Sequence, residues 1–98
     1  LAVAPLAAHP FNECKSNLRL LEYGVLGYPV VCTDILPYQD DLPVFRVPNR
    51  PRNWIAAIRD LVADRVACER AGAQLRAAVL SEWMLEDHLD DWRRAWLP

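Results

Sequence analysis

The residues best suited to chemistry stand close together early in the chain, in the run HPFNECKSNLRLLEY from His9 to Tyr23. A helix amino end presents unpaired amides and a partial positive charge, so a helix opening near Ser16 offers a diphosphate the amides of Ser16, Asn17 and Leu18, with no glycine-rich signature. Lys15 adds a full charge. Seven positions at about 100° each return Glu22 to within roughly 20° of Lys15, with Arg19 between them, so an anion-binding end and a hydroxyl-binding carboxylate share one stripe. The same spacing equally describes a solvated stripe carrying a three-apart ion pair of about 0.2–0.5 kcal/mol.

Other candidates each have a plainer alternative. His9, before Pro10, is suited to donating a proton or touching a sugar, and as readily to lying on the surface. Asn12 and Ser16 both carry the short oxygen that caps a helix, and spacing does not choose between them. Trp83, Trp92 and Trp96 fall at helical spacing and read as packing, with His88 on the same stripe at the core or its boundary. Glu86, Asp87, Asp90 and Asp91 follow one another without converging, so they read as a solvated face and no metal site is expected. Asp40 and Asp41, after PYQ, read as a turn or as an acceptor contact.

The elements that must position these residues are an α/β set. LAVAPL, residues 1–6, is short, apolar and unalternating, as a strand buried on both faces of a parallel sheet is. AAHPFNECKSN reads as a loop, and Leu18, Leu21 and Val25 then mark a helix over 16–26, ended by Gly27 and Pro29. VVCT, residues 30–33, reads as a second buried strand, completing a βαβ unit. The proline-rich stretch after Asp34 leaves room for a short extended piece at 44–47. From Asn53, a cap candidate, to Trp96 there is no proline, and apolar residues recur at helical spacing through 53–96. In such a fold ligands sit beyond the carboxyl ends of the strands, which nominates the loop before the 16–26 helix.

Composition bounds the rest. The chain has 98 residues, 53% hydrophobic and 24% charged, enough for one domain or part of one with a real core. A net charge of -2 supplies no field for a polynucleotide, so nucleic acid is not an expected partner. Its apolar stretches are broken well short of the ~18 residues that span a bilayer. Cys14, Cys32 and Cys68 follow neither a disulfide nor a metal spacing, which points to a reducing cytoplasm. The chain opens on Leu1 with no basic segment ahead of its apolar start, so no signal peptide is expected and the piece reads as trimmed.

The block FNECKSNLRLLEYGVLGYPVVCTD, followed by PYQD, resembles the C-terminal nucleotide-sugar-binding domain of group 1 glycosyltransferases, retaining enzymes of the GT-B fold. The match is densest in LLEYGVLGYPVV, and WIAAIRDLVAD and DWRRAW extend it over nearly the whole chain. The resemblance implies a partial Rossmann-like domain, a short parallel sheet with flanking helices and a helical tail. It implies that Glu22 holds the ribose hydroxyls of a nucleotide-sugar donor while Lys15, Ser16, Asn17 and Leu18 take its diphosphate, with His9, Asn12, Glu13 and Cys14 near the donor sugar. Family members often carry an earlier glutamate eight positions before the second; here that position is Cys14, and Glu13 is one place too early. No cofactor is implied beyond the donor substrate, and no residue of this piece is assigned a catalytic role. The implied function is sugar transfer to a glycan or lipid-linked acceptor, in bacterial surface polysaccharide such as O-antigen or capsule, in the cytoplasm or at the inner face of the membrane. An N-terminal domain holding the acceptor would lie outside the chain, so the piece alone is expected to be inactive and an exposed sheet edge to favour dimerisation. Cys14 in the acidic position also suits a non-catalytic interaction module on the same scaffold.

Overall fold

A computed structural model of the chain describes residues 1–97. Three parallel strands, β1 (Ala2–Ala4), β2 (Val30–Thr33) and β3 (Phe45–Val47), form one sheet in the order β1-β2-β3. Val31 pairs with Val3 on one side and Phe45 on the other. Every residue of β2 is buried, which is why VVCT carries no polar alternation. β1 is shorter than the apolar run that holds it, because Pro5 has no N–H to continue a ladder.

Helices cover both faces. Val30 and Cys32 face a layer made by α2 (Leu18–Val25) and α4 (Arg65–Glu82), where Leu20, Leu75 and Val79 complete the main core. Val31 points the other way, against Val47 of β3 and Leu61 of α3 (Pro51–Ala63). Glycine lets α2 and α4 approach. A Cβ on Gly24 would stand 2.9 Å from Leu75 Cγ and from Val79 Cγ2, and one on Gly72 would collide with the Gly27 carbonyl. Gly27 itself ends α2 at φ 82°, the left-handed region that favours glycine.

Four boundaries differ from the sequence expectation. A single helical turn, α1 (Pro10–Glu13), lies inside the expected loop, begun by Pro10 and capped by His9 Nδ1, which accepts from the Phe11 amide at 3.1 Å. α2 starts later than residue 16, with Asn17 at its N-cap position. α3 starts at Pro51, whose fixed φ suits a first helical position, so Asn53 lies within the first turn instead of capping it. The tail is three pieces: α3 and α4 part at Asp64, whose Oδ1 accepts from the Ala67 amide, and a 3-10 turn (Leu85–His88) separates α4 from α5 (Leu89–Trp96).

The expected packing of the tail tryptophans does not occur. Trp83, Trp92 and Trp96 are 43%, 53% and 74% exposed, because α5 rests chiefly on the 3-10 turn before it. Periodicity marks an apolar stripe; it does not supply a surface to cover it. His88 is half-buried and ties this turn together: its Nε2 lies 2.7 Å from the Glu82 carbonyl and its Nδ1 3.5 Å from Asp91 Oδ2. The Glu82 carbonyl first, and Asp91 after it, raise the His88 pKa. No helix among the described residues is long and apolar enough to cross a membrane.

Candidate functional site

Beyond the carboxyl end of β1 lies a hollow of about 450 Å³. The strand's exit, Pro5 and Leu6, forms one wall; Lys15 and Ser16 from the approach to α2, and Leu18, Arg19 and Glu22 from its exposed side, form the other, with Tyr38 from the loop after β2. Four of the five residues nominated for the nucleotide therefore face one space. Asn17 does not: its Nδ2 donates to Asp40 Oδ2 at 2.8 Å, tying the start of α2 to the loop after β2.

The amides at this end are unevenly free. The Leu18 N–H donates to Ser16 Oγ at 3.3 Å, while the Asn17 carbonyl accepts from Leu20 at 2.9 Å and Leu21 at 3.3 Å. The Ser16, Asn17 and Arg19 amides find no acceptor among the described residues. They supply the orphan donors of a helix start.

His9, Asn12, Glu13 and Cys14 stand apart on or beside α1. His9 caps that turn, Asn12 Nδ2 donates to the Ala7 carbonyl at 2.8 Å, and Glu13 and Cys14 are exposed outside the hollow. The structure thus brings together Lys15, Ser16, Leu18 and Glu22 and leaves Asn17 and the four residues expected near the sugar outside the hollow.

Charge in the hollow is carried by Lys15, Arg19 and Glu22. Lys15 Nζ lies 5.5 Å from the centre of the Phe11 ring. Arg19 lies 5.9 Å over the Tyr23 ring, with its Nη1 3.8 Å from Glu22 Oε2, and both partners of that ion pair are more than half exposed. Tyr38 is buried, and burial, followed by the nearby Cys32, holds its phenol above the usual pKa. It remains a hydroxyl donor at neutral pH. Cys32, beneath, is pushed up to about 11 by burial and is no nucleophile.

Two polar clusters hold the walls. Arg46 donates from Nε to the Tyr38 carbonyl at 2.6 Å and from Nη2 to the Asp40 and Leu42 carbonyls at 2.8 and 2.9 Å, with Asp40 Oδ1 at 3.2 Å. Asp40 Oδ1 also accepts from the Leu42 amide, so the turn reading of that residue holds and its carboxylate is committed. On the opposite wall Thr33 Oγ1 accepts from the Leu6 amide and donates to Asn49 Oδ1, both at 2.9 Å, while Asn49 Nδ2 donates to the Leu6 carbonyl at 2.6 Å.

Sequence reasoning did not single out Tyr38 or this Leu6–Thr33–Asn49 clasp. The partners lie in separate elements, and only the β1–β2 and β2–β3 pairings bring them together. Among the described residues no group of His, Cys, Asp and Glu could hold a metal. Compared with protein-family models, with curated proteins and with solved structures, the chain finds no match.

Proposed function

We propose that this chain is the donor-binding part of a retaining glycosyltransferase, a partial GT-B C-terminal domain that holds a nucleotide sugar. The observation that supports this most is the convergence of Lys15, Ser16 and Glu22 on one hollow beyond β1, at the end of a parallel strand where α/β sheets accept ligands. In this reading the diphosphate lies against the Ser16 and Asn17 amides and Lys15. Those donors stabilise the negative charge that leaves as the glycosidic bond breaks, an electrostatic role that moves no proton. Glu22 accepts from the ribose hydroxyls with its two carboxylate oxygens. The resemblance in LLEYGVLGYPVV adds the donor class, a nucleotide sugar, and assigns the acceptor, a glycan or lipid-linked chain of surface polysaccharide, to an N-terminal domain outside this chain. The exposed tryptophans of the tail and the uncovered Val3 of β1 suit a domain with further neighbours.

A second reading keeps the scaffold without transfer chemistry. It draws on Cys14, which occupies the acidic position of the family pattern and stands exposed outside the hollow. Sugar transfer, or hydrolysis of a nucleotide sugar, by the intact protein would exclude it.

Calorimetric titration with uridine, guanosine and adenosine diphosphates tests the nucleotide assignment. Replacing Glu22 with alanine should weaken binding of the preferred diphosphate about tenfold or more, the worth of hydrogen bonds to a charged group. Equal affinity of parent and E22A would remove the ribose role.

A further inference from the structure

The junction between α4 and α5 gathers acids without fixed cations. Glu82, Glu86, Asp87, Asp90 and Asp91 fall close together, and between Glu82 and Asp91 there is no lysine or arginine. α4 has no basic residue in its last turn, so the partial negative charge of its carbonyl end is not offset by its own side chains. The group in this stretch that can become a cation is His88.

His88 stands between the two helices. Its Nε2 lies 2.7 Å from the Glu82 carbonyl, one of the last carbonyls of α4, and its Nδ1 lies 3.5 Å from Asp91 Oδ2 in the first turn of α5. The other oxygen of Asp91, Oδ1, accepts from Arg94 Nη2 at 3.1 Å. Both ring nitrogens therefore face acceptors. A neutral imidazole carries one N–H, and wherever it is placed the other nitrogen turns its lone pair on an oxygen, whereas the imidazolium donates on both sides.

We propose that His88 is a proton-operated clasp: as the imidazolium it ties α5 to the end of α4, and on losing its proton it lets α5 swing away with the exposed Leu89, Trp92 and Trp96. Little else holds α5. None of its residues is buried, it rests chiefly on the 3-10 turn, and Met84, where the chain leaves α4 for that turn, has extended backbone that can serve as a hinge. Trp83, Leu85 and Trp92 line a hollow with His88, so opening the clasp parts an apolar contact as well as a polar one. The clasp uses no residue of the hollow beyond β1 and is independent of the donor-binding reading.

The surroundings of the ring set the direction of the switch. Glu82 faces it from α4, Asp87 from the 3-10 turn and Asp91 from α5, with Arg94 behind Asp91; Asp40 and Asp41, from the loop after β2, lie across Glu82 in an adjoining hollow. Arg94 apart, these are acids, and they favour the charged ring. Because His88 is more basic clasped than free, the clasp is at full strength below about 6.5, the value of a free histidine, and is lost as the pH rises through the clasped value. The carboxylates ionise near pH 4 and are charged throughout that range.

The test follows the isotopically labelled full chain by NMR from about pH 5.5 to 8.5, a range that brackets histidine titration, reading the His88 ring nitrogens and the motion of the Leu89–Trp96 amides. We expect the ring to titrate above about 6.5. With the same midpoint, the α5 order parameters should drop from about 0.85, typical of rigid backbone, to below about 0.6. Asp91→Asn keeps the shape and removes the charge, so it should lower the midpoint and free α5 at a lower pH. His88→Gln does not titrate, so its α5 order parameters should be the same at both ends of the range. A His88 midpoint at or below the free value would overturn the clasp, as would α5 amides that stay rigid while the ring titrates, or a pH response of α5 that persists in His88→Gln. His88 and Asp91 belong to neither core, so the amide shifts of β2 and α3 should match the parent in both variants and report an intact fold.

Discussion

Thr33 is the polar residue that the sheet can least do without. It is buried at the end of the central strand, and its hydroxyl serves Leu6 and Asn49 at once, so one oxygen links both the Leu6 amide and the Asn49 side chain that holds the Leu6 carbonyl. Valine at this position keeps the shape and β preference but leaves the Leu6 amide and the Asn49 carbonyl oxygen without that partner. Thr33→Val should therefore cost about 1–3 kcal/mol, read by urea denaturation, and a stability within ~0.5 kcal/mol of the parent would show that the clasp is dispensable. Residue types and local spacing made Lys15, Arg19 and Glu22 legible as one stripe, with Ser16, Asn17 and Leu18 grouped with them at the helix start, because a helix period converts sequence distance directly into angle. Asn17 was legible as part of the same group but not as a residue turned aside, since the Asp40 that holds it is remote in sequence and local periodicity says nothing of it.

At the scale of elements, the α2–α4 contact is the most extensive between two helices and closes one side of the main core. Leu20, Leu75 and Val79 meet there because Gly24 and Gly72 remove the side chains that would hold the helices apart. Gly72→Ala gains helix propensity of about 1 kcal/mol, yet the added carbon would meet the Gly27 carbonyl, a backbone atom that cannot rotate away. Overpacking of that kind costs typically about 1–3 kcal/mol, so the variant should be less stable than the parent by thermal melting, and a raised midpoint would refute the close approach. The strands and the α2 helix were readable from apolar runs bounded by proline and glycine. The α1 turn was signalled only by Pro10 in its first position, since its cap is a histidine side chain and histidine is no standard cap signal. The early start of α3 was readable in principle: Pro51 in the first helical position was a stronger sign than Asn53.

Over the whole molecule, the body is a flat slab with a projecting tail. Its extents are 51 × 34 × 16 Å and its radius of gyration is 15.1 Å, against about 13 Å for a compact chain of this length. The excess belongs to the segment after α4, where Leu85, Leu89, Trp92 and Trp96 remain exposed along one stripe. Sequence periodicity foresaw the stripe and misjudged its burial, because cover is a property of the assembled molecule. The hollow beyond β1 is independent of that tail, so its ligand should be detectable in this chain. The most direct measurement is amide chemical-shift mapping of the isotopically labelled chain during titration with nucleoside diphosphates. The account expects saturable shifts that are largest at the Ser16, Asn17 and Arg19 amides and extend to Glu22. Shifts confined to the tail or to α3, with residues 15–19 unmoved, would contradict it.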